Sequence, residues 1–144
     1  LYAGSPGVVL FCLELADATR DEHWTALARR GADELLARLP ERVEGEVAGL
    51  YTGLAGLGFA LGETWLCTHD ERYRAGLERA VETLALSAQT DPQLPGRAWG
   101  ASNDVISGSA GIGFFLETNP DTGAVVSQLV TCNFDRRCAS LPRP

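Results

Sequence analysis

Hydrophobic and polar positions follow two alternating patterns along this chain. Leu1-Tyr-Ala-Gly-Ser-Pro-Gly-Val-Val-Leu-Phe, Leu50-Tyr-Thr-Gly-Leu-Ala-Gly-Leu-Gly-Phe-Ala and Val105-Ile-Ser-Gly-Ser-Ala-Gly-Ile-Gly-Phe-Phe align without a gap. Each has an apolar pair, a Gly-x-x-Gly step and an apolar run ending in Leu-Glu, Gly-Glu or Leu-Glu. Apolarity on every side predicts a buried helix that begins at the glycines, where a missing Cβ permits a tight entry and close backbone approach. Polar residues follow, Asp17 to Glu22 and Thr68 to Glu71, and read as loops. Amphipathic stretches come next, from about Asp21 to Leu39 and from about Asp70 to Ala88. Trp24, Leu27, Ala28, Gly31, Leu35 and Leu39 fall at three- and four-residue steps in the first; Tyr73, Leu77, Ala80, Val81, Leu84 and Ala88 do so in the second. Asp21-Glu22 and Asp70-Glu71 open these helices at the positive end of the helix dipole, and Pro40 and the Pro92 to Gly96 stretch end them.

The glycine pairs Gly4/Gly7, Gly53/Gly56 and Gly108/Gly111 lie 49 and 55 residues apart in succession, so one unit repeats about every fifty residues. That unit is an apolar inner helix, a short loop and an amphipathic outer helix. The expected fold is therefore all-α: helical-hairpin repeats amounting to about two and a half hairpins over residues 1–118, with repeat starts near 1, 50 and 105. Inner helices facing a centre and covered by outer ones suit a partial α/α toroid or a curved solenoid, and the pattern does not choose between them. The third unit has no long acidic-capped outer helix after Glu117, and residues 119–144 read as an irregular tail.

The composition, 45% hydrophobic and 22% charged, is that of a globular domain. Lys is absent, Arg carries all the positive side-chain charge and the net charge is -7, which argues against nucleic acid or an anionic membrane as partner. No apolar stretch approaches the roughly 20 residues that span a bilayer, and no signal-like start is seen, so a cytoplasmic chain is expected. A start at Leu1 inside an apolar run suggests truncation or processing. Cys12 and Cys67 are expected as small buried hydrophobes, and the spacing of Cys132 and Cys138 fits no common zinc knuckle, so the even cysteine count does not carry a disulfide reading.

The three motifs, with Asn103-Asp-Val-Ile-Ser-Gly-Ser-Ala-Gly-Ile-Gly113 the closest match, resemble the repeat of the lanthionine synthetase C-like family over Leu1 to about Glu117. The resemblance implies a fragment of an α/α toroid whose bacterial members form thioether rings, adding a cysteine thiol of a precursor peptide to a dehydroamino acid. It also implies a zinc ion held by two cysteines and a histidine, which would keep the thiol deprotonated. The family's Trp-Cys-x-Gly and Cys-His-Gly settings are absent here, so no zinc ligand is carried over and a chain inactive by itself is expected. Asp104 alone matches a family active-site position. It reads either as an electrostatic or proton-handling catalytic group or as a cap on an approach turn.

Other candidates have blander readings. Trp99 would line a peptide-binding mouth or pack on the adjacent helix, Tyr2 and Tyr51 share a repeat position that suits packing, and His23 and His69 suit exposed helix starts. The glycine motifs have no Lys-Ser/Thr of a phosphate loop and follow no strand, and Gly108-Ser-Ala-Gly lacks the spacing of a nucleophile elbow. The competing function is a non-catalytic helical-repeat module that binds a peptide or protein. An open array would also self-associate, exposing inner-helix residues such as Phe114 and Phe115.

Overall fold

A computed structural model describes residues 1, 4–43, 45–90, 97–100 and 102–118. Helices α1 (Ser5–Thr19) and α2 (Glu22–Ala37) form the first hairpin, α3 (Leu54–Thr68) and α4 (Glu71–Ser87) the second, and α5 (Ser109–Glu117) opens the third. A 3-10 turn, Gly45–Ala48, lies between the first two hairpins. Between α4 and α5, β1 (Gln89–Thr90) and β2 (Arg97–Ala98) pair antiparallel, with Gln89 opposite Ala98. The expected all-α hairpins are thus present with one two-residue ribbon added. Residues 119–144, with Cys132 and Cys138, and Tyr2 and the Pro92 to Gly96 stretch lie outside the described residues. None of the described helices is long and apolar enough to cross a membrane.

Each inner helix starts where its glycine stands. Gly4, Gly53 and Gly108 are the residues that cap α1, α3 and α5. The second glycine of each motif has a steric reason: a Cβ on Gly7, Gly56 or Gly111 would collide with the carbonyl oxygen of Leu1, Leu50 or Val105, six residues back. The incoming loop folds against the first helical turn and occupies that space.

The loops within the hairpins are shorter than the polar stretches suggest. Only Arg20-Asp21 separates α1 from α2, and only His69-Asp70 separates α3 from α4. Polar residues in the last helical turn are exposed rather than non-helical. Arg20 (φ 57°) and His69 (φ 53°) end the inner helices in the left-handed region, and their N–H groups donate to Ala16 O and Trp65 O. Asp21 and Asp70 then accept from the N–H of His23 (2.9 Å) and Arg72 (3.1 Å), capping the outer helices.

The core runs between the hairpins. Val9 of α1 reaches α2 where Gly31 leaves space, a built Cβ there lying 2.6 Å from Val9 Cγ2. Leu36 of α2 meets Gly76 of α4 in the same manner. Leu54, Leu61, Tyr73, Leu84, Ile112 and Phe115 are fully or nearly fully buried. Along the capping ends, Leu1 N donates to Tyr51 O (2.8 Å) and Tyr51 N to Ile106 O (2.9 Å), stitching successive repeats together.

Three expectations about burial are corrected. Helix α1 is apolar all round, yet Val8 is 60% and Phe11 61% exposed, because no hairpin packs on the side of α1 away from α3 among the described residues. Phe115 is fully buried, since α3 and α4 cover it; Phe114, on the other side of α5, is exposed. Leu27 is also partly outside the α2 core face, which Ala28, Ala32 and Leu35 fill.

Candidate functional site

The loop from Ser102 to Gly108 enters α5 and carries Asp104. Its carboxylate organises the loop. Asp104 Oδ1 accepts the N–H groups of Ile106 (2.6 Å) and Ser107 (2.8 Å), while Oδ2 accepts the hydroxyls of Ser107 (3.1 Å) and Ser102. Ser102 O in turn accepts Ser109 N–H (3.1 Å), and Asp104 O accepts Gly111 N–H (3.4 Å). The two hydroxyls and two amides, with the Ser102 hydroxyl contributing most, hold the Asp104 carboxyl well below the usual carboxylate range.

Two consequences follow for chemistry. Asp104 stays ionised at any physiological pH, and each of its oxygens already has two donors, so it is a weak proton acceptor and a fixed negative charge. It is also exposed, beside the exposed apolar residues Val105 and Ile106. Through the Tyr51 N to Ile106 O bond the second repeat's entry loop adjoins this one, and Tyr51 is itself partly exposed. The loop therefore combines one charge, two serine hydroxyls and apolar side chains on backbone held by hydrogen bonds.

The other candidates lie elsewhere. Trp99 is buried, its indole N–H donating to Leu84 O (2.8 Å) and its backbone N–H to Ser109 Oγ (3.0 Å), so it packs against α4 and α5 rather than lining a mouth. His23 is exposed in the first turn of α2, its ring edge-to-face with Trp24, and His69 is the exposed left-handed cap of α3. Cys12 is buried as expected, whereas Cys67 is exposed, since the last turn of α3 runs past the core. Partial burial and the negative charges of Glu63, Asp17 and Glu14 push the Cys67 thiol up, which disfavours the thiolate that a nucleophile or metal ligand needs. Glu14 and Glu63 occupy equivalent repeat positions, and Glu63 is raised by burial first and by the Glu14 charge second.

A polar network that the sequence analysis does not single out joins the two hairpins. Arg29 of α2 pairs with Asp70 (3.1 Å) and donates to Thr68 O (3.3 Å). The Tyr73 hydroxyl donates to Asp33 Oδ1 (3.0 Å), and Arg72 lies 3.4 Å from Asp33 and 2.9 Å from Asp70. Burial first, and then the hydrogen bond to Asp33, push the Tyr73 phenol up to about 12. These contacts cross about forty residues of sequence and fasten hairpin to hairpin; they form no cleft chemistry.

Three in-phase glycine motifs thus open the inner helices, the third of them behind the Asp104 loop. A family model described as lanthionine synthetase C-like protein matches residues 1–132, and the chain belongs to that family. No curated protein and no solved structure matches it. The zinc that the family implies does not fit the residues at hand: among the described residues no group of three His, Cys, Asp or Glu side chains is placed to hold a metal ion, and Cys12, Cys67, His23 and His69 are spread over the two hairpins.

Proposed function

We propose that this chain is a peptide-engaging part of a lanthionine synthetase C-like cyclase, one that does not close thioether rings by itself. The observation that carries the reading is the Asp104 loop: the family's aspartate stands on an exposed, hydrogen-bonded rim at the start of the third inner helix. In the proposed role Asp104 supplies a fixed negative charge and shapes the rim, and Tyr51, Val105 and Ile106 offer apolar contact to an extended peptide. Ring closure needs more. The cysteine S–H must lose its proton, sulfur must bond to the β-carbon of the dehydroamino acid, and a proton must reach the α-carbon. None of the candidate residues described above is poised for the first step: Asp104 is held ionised by its donors, and Cys67 is shifted away from the thiolate. A cytoplasmic setting and a dehydrated precursor peptide as partner belong to the same proposal, on the support of the family match.

The competing reading, a helical-repeat module that binds a peptide without any link to cyclisation, is favoured by the apolar rim itself. A peptide with one dehydroalanine and one cysteine separates the two. Binding is followed by fluorescence anisotropy, and ring closure by loss of titratable thiol at unchanged mass, with and without added zinc. The expected result is tighter binding of the dehydroalanine peptide than of its serine counterpart, weakened in Asp104→Ala, with the thiol retained. Thiol consumption above the buffer rate would overturn the inactivity, and equal affinity for both peptides would favour the plain binding module.

A further inference from the structure

Trp99, directly after β2, reaches two helix ends at once. Its indole N–H donates to Leu84 O (2.8 Å) while Arg97 Nη1 donates to Ala85 O (3.3 Å), so two side chains of the ribbon bond carbonyls at the end of α4, where helical donors run out. The Trp99 backbone N–H donates to Ser109 Oγ (3.0 Å), on the first residue of α5. Ser109 N–H donates in turn to Ser102 O (3.1 Å), and the Ser102 hydroxyl donates to Asp104 Oδ2. Trp99 and Ser109 are buried, whereas Ser102 and Asp104 are exposed. A line of hydrogen bonds and short backbone therefore runs from the end of an outer helix, through the buried start of an inner one, to the exposed carboxylate.

Starting an inner helix does not require this line. Val47 is the counterpart of Ser102: a Cβ on Gly53 would meet the Val47 carbonyl as one on Gly108 would meet that of Ser102. Counted from the same glycines, the second repeat has Gly49 in place of Asp104 and Leu54 in place of Ser109. Leu54 opens α3 and is buried in the apolar core, so the first turn of an inner helix does not call for a hydroxyl, and burying one is tolerated only where it is bonded. The third entry loop follows the same course as the second, yet it carries two hydroxyls and a carboxylate where the second has Val, Leu and Gly.

We propose that Ser109 and Trp99 are positioning residues for Asp104: together they fix the backbone at Ser102 so that its hydroxyl meets the carboxylate. The Ile106 and Ser107 amides belong to the same turn as Asp104 and move with it, and Gly111 N–H (3.4 Å) holds the Asp104 backbone rather than its side chain. Ser102 is the donor that relates the carboxylate to the helices, and its hydroxyl contributes most to holding the Asp104 carboxyl low. Without Ser109 Oγ the Trp99 N–H is buried with no acceptor, and the segment from Trp99 to Ser102 must shift to find one. That the position matters to a bound peptide rests on the function proposed above; the position itself does not.

The test compares Ser109→Ala and Trp99→Phe, each in the full chain with and without Ser102→Ala, by amide hydrogen exchange at neutral pH and carbon-detected NMR of the Asp104 carboxyl. Circular dichroism and exchange within α1 and α2 report an intact fold, and Trp99→Phe, which keeps a buried ring, tests the same line should Ser109→Ala not fold. Ser109→Ala should speed exchange at Ile106 and Ser107 and move the Asp104 midpoint up toward the ordinary aspartate range; Trp99→Phe should do the same to a smaller extent. With Ser102→Ala already present neither substitution should add to these changes, whereas a role confined to packing would act equally in both backgrounds. An Asp104 loop unchanged by both substitutions, or changed as much without the Ser102 hydroxyl as with it, would overturn the proposal. Affinity for the dehydroalanine peptide separates it from the function above. A displaced carboxylate with undiminished peptide binding upholds the positioning and overturns the peptide role; weaker binding in Asp104→Ala beside an unmoved carboxylate in Ser109→Ala does the reverse.

Discussion

Two glycines of α5, two residues apart, should respond to the same substitution with opposite signs. At Gly111 an added Cβ would meet the Val105 carbonyl, with Val105 C at 2.8 Å and Leu50 Cβ at 3.0 Å, and both obstacles belong to the packed entry loops. Neither is the end of a flexible side chain, so the helix and loop must separate by a sizeable fraction of an ångström. Overpacking of this kind costs about 1–3 kcal/mol, set against a gain of roughly 1 kcal/mol from replacing glycine by alanine in a helix. Gly111→Ala should therefore destabilise by up to about 2 kcal/mol, while Gly113→Ala, with nothing among the described residues within 4 Å of the added Cβ, should stabilise by up to about 1 kcal/mol. Urea denaturation followed by circular dichroism, at a concentration where sedimentation shows only monomer, reads both values. Because Gly111 N–H also bonds Asp104 O, the same variant should raise hydrogen exchange at Ile106 and Ser107. Equal stability of the two variants, or a Gly111→Ala chain firmer than wild type, would refute the argument that the second glycine of each motif is reserved for a backbone carbonyl.

Asp104 should titrate below the ordinary aspartate range by carbon-detected NMR: its folded value is depressed, so its contribution to stability is in place above the unfolded value and is lost only as pH falls through the folded one. Asp104→Ala should therefore increase amide exchange at Ile106 and Ser107 at neutral pH, and the difference from wild type should shrink only in strong acid. Tyr73 behaves in the opposite sense: its phenol is raised, so the stability it adds is complete below the unfolded value near 10 and is lost as pH rises through about 12, which ultraviolet titration of the phenolate would follow. Tyr73→Phe should cost about 1 kcal/mol for the hydroxyl's lost bonding to Asp33 and to the Arg29 carbonyl, with only the Asp33 share of that cost absent in an Asp33→Ala background. His69→Gly should stabilise by about 1 kcal/mol, because the left-handed cap is unfavourable for any residue with a Cβ, and thermal melts of the two chains would show it.

The repeat was legible because its determinants are local. A glycine ahead of an apolar run, and an aspartate immediately ahead of an outer helix, act within one turn of backbone, and they stand where the periodicity places them. What was not legible depends on neighbours. Apolar surroundings in sequence describe Cys12 and Cys67 alike, yet one lies between helices and the other beyond the last core layer. Phe11 and Phe115 hold the same repeat position, and among the described residues only Phe115 has a hairpin packed on it. At the candidate site, Asp104 was singled out by the family resemblance alone, and the serines at 102 and 107 are the local signal of a self-bonded turn. The strength of that bonding, which decides between a base and a fixed charge, required the geometry.

The rim loop is a property of the array more than of its own residues. Leu1 bonds to Tyr51, Tyr51 bonds to Ile106, and Ile106 bonds to Asp104, so each entry loop rests on the one that precedes it. Inner helices α3 and α5 are held at the separation that the Phe115 ring against Gly58 allows, which sets the spacing of their loops. A change at Gly58 or Phe115, in the core between α3 and α5, should therefore move the Asp104 loop by shifting α5 against α3. By the same reasoning a hairpin added at either end acts on the site through the stack. In the proposed role, that shift changes where the Asp104 charge stands relative to an engaged peptide.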